Sequence, residues 1–362
     1  MTSPTGTGGV AVMDPGLLQG LVAAVQTNCH ISDARHAGDM TMCIYLLQMR
    51  EFFRWEKGFA ALESLPHAQL GQWLSAREAL WESLEDRPFE PLPLGQEQFG
   101  PFEADRINTR LRPFGLVYGA GLTGPGRASF FLAQLLSVQE RGGAQLLVCG
   151  REHARGIFAA PAALCGTTIY LRQESLTRWL WQKYESWTLR RLPGAFRCAL
   201  GHYGYEQDGP LAVARLAAAQ AESLVLHELG ELAAGRLLGP RWQELRSGLT
   251  CRRTELYLRA VRDHLADCTV TLPKLLESGV PAAIDFWFAN LEGLRAELFP
   301  LAMQAYSAWR AGDDGRALVA ALAAGRDHWL ALCEQVLRLH AAHGVAAPAH
   351  IRRLLASGPA RL

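Results

Sequence analysis

Two short stretches of the chain put ionisable side chains at spacings suited to holding a metal ion. The first, "NCHISDARHAGD" at residues 28–39, places His30, Asp33 and His36 at successive intervals of three, with Cys29, Arg35 and Asp39 beside them. On a continuing helix, steps of three turn by about 300°, so these side chains span an arc of roughly 120°. Two imidazoles and a carboxylate within that arc suit zinc, iron or manganese. The second stretch, His227-Glu228-Leu-Gly-Glu231, has the H-E-x-x-H spacing of zinc metalloproteases with the second histidine replaced by glutamate. His227 and Glu231 fall on one helix face, one turn apart. Glu228 beside them is placed to act as a general base. The flanking Leu224, Val225, Leu226 and Leu232 are apolar, so three ionisable groups among them must be solvated, paired or coordinated.

Further carboxylates extend both clusters. Glu51 and Glu56 in "MREFFRWEKG" lie close in sequence to the His30/His36 group, and carboxylates with histidines on antiparallel helices make the two-metal centres of helical bundles. The Glu-x-x-His pairs usual in those centres have no good counterpart here. Asp263, His264 and Asp267 in "AVRDHLADC" form another group, with Asp263 and Asp267 one turn apart. The bland counterpart of each cluster is structural: Asp33 and His36 bonding to backbone at a helix end, Glu231 pairing with an arginine.

A third motif spells a different chemistry. "VYGAGLTGPGR" (117–127) contains Gly119, Gly121 and Gly124 in the G-x-G-x-x-G pattern of dinucleotide loops. Strand-like residues precede it, and "RASFFLAQLLSVQE" reads as a helix after it. Arg151 and Glu152 close the next strand-like run, where a ribose-binding acid belongs. Pro125 and Gly126 lengthen the loop, however, and no second βαβ half follows. An NAD(P)-dependent oxidoreductase is therefore the third reading. A plain tight turn, or an anion held on the "GPGR" turn with Arg127, fits the context better.

The elements that must position these groups are mostly helical. Asp14-Pro15 opens a helix, residues 39–58 and 68–85 form two more, and a proline-punctuated connector follows at 86–103. The runs at 114–119, 144–150 and 167–173 read as strands. From residue 175 helical patterns return, including a long one at 210–239. The expected fold is mainly α: a multi-helix body with a small inserted three-stranded α/β segment. Its expected parts are a disordered terminus at 1–13, a helical region at 14–100, the insert at 101–174 and a helical region at 175–362. The ten tryptophans, at helical spacing, are expected chiefly as packing anchors.

Composition narrows the partners. Lys plus Arg (36) nearly balances Asp plus Glu (35), so no overall field draws the chain to nucleic acid or to an anionic membrane. No apolar run approaches the roughly 18 residues of a membrane span, and the amino-terminal residues lack a signal-peptide pattern. The eight cysteines are scattered, with no C-x-x-C pair, so they are expected as free thiols in a cytoplasmic protein. No G-x-S-x-G elbow or P-loop lysine is present.

Residues 29–58, "CHISDARHAGDMTMCIYLLQMREFFRWEKG", resemble the amino-terminal signature of an uncharacterised bacterial protein family of unknown function. The resemblance implies no activity and assigns no residue a role. From the residues themselves, the expectation is a metal-dependent enzyme acting on a small-molecule substrate. A mono- or dinuclear divalent site on His30, Asp33, His36, Glu51, His227 and Glu231 would have Glu228 as base: oxidative with iron, hydrolytic with zinc. The alternative is a non-catalytic helical ligand-binding or adaptor protein. Oligomeric state is open.

Overall fold

The computed structural model describes residues 11–60, 63–124, 127–249 and 251–362. The chain is mainly α and divides into two compact units. The first runs up to Arg141 and includes Gln145–Gln182; the second holds Lys183–Leu362 with the short turn at Gly142–Ala144. No helix of the described residues is long and apolar enough to cross a membrane. Of the terminus expected to be disordered, residues 1–10 lie outside the described residues. Ala11 donates to the Pro113 carbonyl (3.0 Å), and Met13 packs on the core.

The first unit begins with α1 (Pro15–His36), capped as its sequence predicts: the Asp14 carboxylate accepts from Leu17 N–H. Helices α2 (Met42–Glu56) and α3 (His67–Glu82) follow. The proline connector then forms a small hairpin, β1 (Leu92–Leu94) with β2 (Glu97–Phe99), and leads into α4 (Ala104–Leu111). Five more strands make one sheet: β3 (Leu116–Gly124), β4 (Arg127–Arg141), β5 (Ala144–Arg155), β6 (Ala162–Cys165) and β7 (Thr168–Arg172). Their spatial order is β3-β4-β5-β7-β6. The sheet curls until its edge strands meet, so that the Cys165 thiol donates to the Ala120 carbonyl at 3.4 Å.

This sheet is larger than the expected three-stranded segment, and residues 127–141 are a strand where a helix was expected. The reason lies in burial. Ala128, Phe130 and Leu132 pack with Leu21 and Val25 of α1, whereas Phe131 and Ala133 pack with Leu147, Cys149 and Tyr170. A strand covered on both faces loses its period-two alternation and reads as one continuous apolar run.

The second unit starts within α5 (Gln173–Thr188) and continues through α6 (Ala195–Gly201) to the long α7 (Gly209–Leu238). The Asp208 carboxylate caps α7, and Gly239, at φ 71°, ends it. Then come α8 (Pro240–Ser247) and α9 (Arg252–Ala266), which runs through one π-helical turn, Asp267–Thr271, into α10 (Leu272–Ser278). Helices α11 (Pro281–Ala289), α12 (Gly293–Leu298), α13 (Pro300–Arg310), α14 (Arg316–His343) and α15 (Ala347–Leu355) complete the unit. Its core is centred on fully buried Trp329, which stacks on His264 at 4.8 Å and meets Phe299 edge-on.

Glycines let two helices close on the π turn. A Cβ at Gly230 of α7 would stand 2.7 Å from the Ala266 carbonyl oxygen, and one at Gly325 of α14 would stand 2.7 Å from Cys268 Sγ. The first obstacle is backbone and cannot swing aside. Gly230→Ala should therefore destabilise the protein by ~1–3 kcal/mol. Gly235→Ala, on the same helix with open space around it, should stabilise it by up to ~1 kcal/mol through helix propensity. Urea unfolding midpoints of the two variants check this pair; a Gly230→Ala midpoint at or above wild type would contradict the close crossing.

Candidate metal centre

In the second unit, α7 brings His227 and Glu231 against α9 and the π turn. His227 Nδ1 lies 2.8 Å from Asp267 Oδ1, and the other oxygen of Asp267 accepts from Arg295. With Nδ1–H bound to a carboxylate, the imidazole presents Nε2 to Glu231 Oε1, 3.6 Å away. Arg262 holds the second oxygen of Glu231, which turns Oε1 toward the histidine. Asp263 completes the group: one ligand atom from each of His227, Glu231 and Asp263 falls within 4.8 Å of the others. Donors around an ion at ~2.1 Å stand roughly 3–4 Å apart, so a small contraction would close this set.

The electrostatics are those of a half-enclosed charge network. Burial alone would lower the His227 pKa, but Asp267 and Glu231 outweigh it and hold the imidazole well above its ordinary value. Burial would raise Glu231, yet the His227 hydrogen bond and Arg262 hold it well below the usual carboxylate range. Asp263 goes the other way, raised by burial and by neighbouring Glu231. Its Oδ1 is buried without a hydrogen-bond donor; Arg262 stands 3.8 Å off, too far to donate. Glu228, also buried, acts electrostatically on Arg262.

The sequence-predicted residues of the first unit are held differently. His30 is buried, with Arg77 Nη1 2.5 Å from Nε2 and Trp81 Nε1 3.3 Å from Nδ1. Burial, then the Arg77 charge, drives its pKa down to about 3. The ring is neutral, and a guanidinium already stands where an ion would bind. Arg77 is in turn paired with Glu56 and lies over Trp73. Glu51 pairs with Arg54 (3.2 Å), whose guanidinium pins the Ala60 and Glu63 carbonyls. His36 Nδ1 is 3.4 Å from Asp39, which also pairs with Arg127 at 2.7 Å.

The rest of the "CHISD" segment serves the sheet. Cys29 Sγ donates to the Phe130 carbonyl and Ser32 Oγ to that of Ala128. The Gln26 amide bonds both to Arg155 N–H and to its carbonyl, and Asp33 Oδ2 accepts from Ile157 N–H at 2.9 Å. The cavity beside Cys29, Ser32, Asp33 and His36 is only about 20 Å³, room for a water and not for an organic ligand.

The glycine motif has no dinucleotide context. Gly119 pairs with Phe131 across the β3–β4 hairpin, and the ring occupies the place of its missing Cβ, 2.0 Å from that position. Gly121 faces Cys165 from the far edge of the curl. Pro125 and Gly126 of the expected "GPGR" turn lie outside the described residues. Glu152 is fully buried, bonded to Arg172 Nε (2.9 Å) and Ser175 Oγ (2.6 Å), and is unavailable to a ribose.

Sequence reasoning noticed Asp263 and Asp267 but had no means of joining them to His227, from which they are separated by a helix and two turns. Arg262 and Arg295 carried no signal at all. The Asp33 environment, in contrast, generates a specific expectation. Burial, opposed by the Ile157 N–H, raises its pKa from 3.8 to about 7. A folded-state acid pKa above the unfolded one means the native state keeps the proton longer. Stability from this group is thus fully present below pH ~4 and is lost as pH rises toward 7, with a slope of at most ~1.4 kcal/mol per pH unit. Asp33→Asn, which can still accept from Ile157, should lack that component, so its stability relative to wild type should improve between pH 5 and pH 8. Urea titrations across this range test it; a constant difference would contradict the assignment.

Comparison with curated proteins finds no match, and comparison with solved structures finds none. Two family models do match. The N-terminal domain of the family of unknown function DUF6866 covers residues 20–172, and its C-terminal domain covers residues 177–358. Together they span nearly the whole chain, which therefore belongs to the family of unknown function DUF6866.

Proposed function

We propose that the second unit holds one divalent metal ion on His227, Glu231 and Asp263, and that the protein is a cytoplasmic metal-dependent enzyme acting on a small-molecule substrate. The observation that carries this reading is the Asp263 carboxylate, which is grouped with a histidine nitrogen and a second carboxylate and has one buried oxygen that lacks a donor. A buried acceptor without a donor costs free energy that a cation would recover. Two further features support the reading. Asp267 orients the imidazole as outer carboxylates orient metal-bound histidines. The site also abuts a π turn, a device frequent at functional sites.

One imidazole and two carboxylates suit zinc, iron or manganese. Three protein ligands leave coordination positions for water and substrate, the pattern of catalytic and not structural sites. Zinc would supply Lewis acidity for hydrolysis, and iron would supply oxygen chemistry. Within the chain, Arg262 fixes Glu231, Asp267 fixes His227, and Glu228 is the carboxylate nearest in sequence to take a proton from an attacking water. A second reading, a helical adaptor, draws on α2, where Met42, Ile44, Leu46 and Leu47 are all exposed.

Element analysis separates the two readings. After reconstitution with Zn²⁺, Mn²⁺ or anaerobic Fe²⁺ and gel filtration, the wild-type protein should retain about one ion per chain. His227→Ala/Glu231→Ala should retain none. Asp263→Asn, which keeps the shape and removes the charge, should weaken binding at least ~tenfold while circular dichroism stays that of wild type. Substoichiometric metal in the wild type, or full retention by the double variant, would sink the proposal.

A further inference from the structure

Beside the three ligands stands an arginine cluster that they do not use up. Arg259 and Arg262 are one turn apart on α9, on the face that carries Asp263. Arg262 is committed to Glu231. Arg259 is exposed, makes no hydrogen bond or ion pair among the described residues, and stands one turn before Asp263 on the same helix. Arg246 of α8 completes the cluster, 4.0 Å from Glu255.

The charges can be matched by contact. A divalent ion would be balanced by Glu231 and Asp263. Arg295 is matched by Asp267 and Arg246 by Glu255. Arg259 and Arg262 remain, with Glu228 the further carboxylate whose charge acts on Arg262. The loaded site is left with positive charge and with one guanidinium whose donors are unspent. A planar fork of N–H groups next to a metal ion is suited to an oxyanion, with one oxygen toward the ion and another toward the guanidinium.

From this arrangement we infer that the substrate carries a phosphoryl group or a comparable oxyanion, held between the metal ion and Arg259. The inference rests on the metal reading above. It further requires that metal and anion bind together, because without the ion the carboxylates of Glu231 and Asp263 repel an anion.

The test uses the full chain, Mn²⁺ and inorganic phosphate. Phosphorus NMR of phosphate should show line broadening by the Mn²⁺-loaded protein beyond that of an equal concentration of free Mn²⁺. The broadening should saturate with phosphate, and Arg259→Gln should weaken the phosphate affinity by about tenfold with Mn²⁺ stoichiometry unchanged. Arg259 is exposed, so this variant is expected to fold as wild type. Full Mn²⁺ occupancy without saturable broadening would overturn this inference alone, as would an Arg259→Gln protein that binds phosphate like wild type. Failure to retain Mn²⁺ would overturn the metal reading and this one with it.

Discussion

Asp267 is a carboxylate with no solvent exposure inside a helical unit, and the arrangement of that unit follows from meeting its charge. Removing such a charge from water costs several kcal/mol unless partners replace the water. His227 from α7 and Arg295 from α12 supply the replacement, one on each oxygen. For His227 to arrive, α7 must cross α9 at the distance of bare backbone, which Gly230 permits. The π turn at Asp267–Thr271 lies at this crossing, with Gly325 giving equal room on α14. The same bond that pairs Asp267 orients the imidazole and aims Nε2 at Glu231. A structural necessity and the geometry of the candidate centre are thus one interaction.

In the first unit a comparable constraint acts on backbone and not on charge. Peptide groups at the ends of β4 and β5 find partners in the side chains of α1. That use explains why a polar "CHISD" segment is buried. It also shows how two clusters with similar residue types diverge. At His30 the neighbour is a cation, Arg77, and the imidazole is neutral. At His227 the neighbours are carboxylates, and the nitrogen faces a space bounded by negative charge.

Much of the helical framework was legible in the sequence because caps and breakers are local. Asp14-Pro15 and Asp208-Gly209-Pro210 begin helices, and Gly239 ends one. The strand β4 was illegible because both of its faces are buried over residues 130–133, so that apolar run carries no alternation. The glycine motif misled for a related reason: Gly119 is set by a ring on the neighbouring strand, a cross-strand fact that no local window contains. At the candidate centre, the i, i+4 spacing of His227 and Glu231 was visible. The third member, Asp263, reaches them only through the tertiary crossing of α7 with α9, and Arg77 opposite His30 is likewise remote in sequence.

The proposed ion on His227, Glu231 and Asp263 has a direct spectroscopic signature. X-ray absorption at the zinc edge of the Zn²⁺-loaded protein tests it most directly. The expected spectrum has a coordination shell at ~2.0–2.1 Å with outer-shell scattering from a single imidazole, lost in His227→Ala. A shell of light atoms without imidazole scattering, or a spectrum unchanged in His227→Ala, would contradict it.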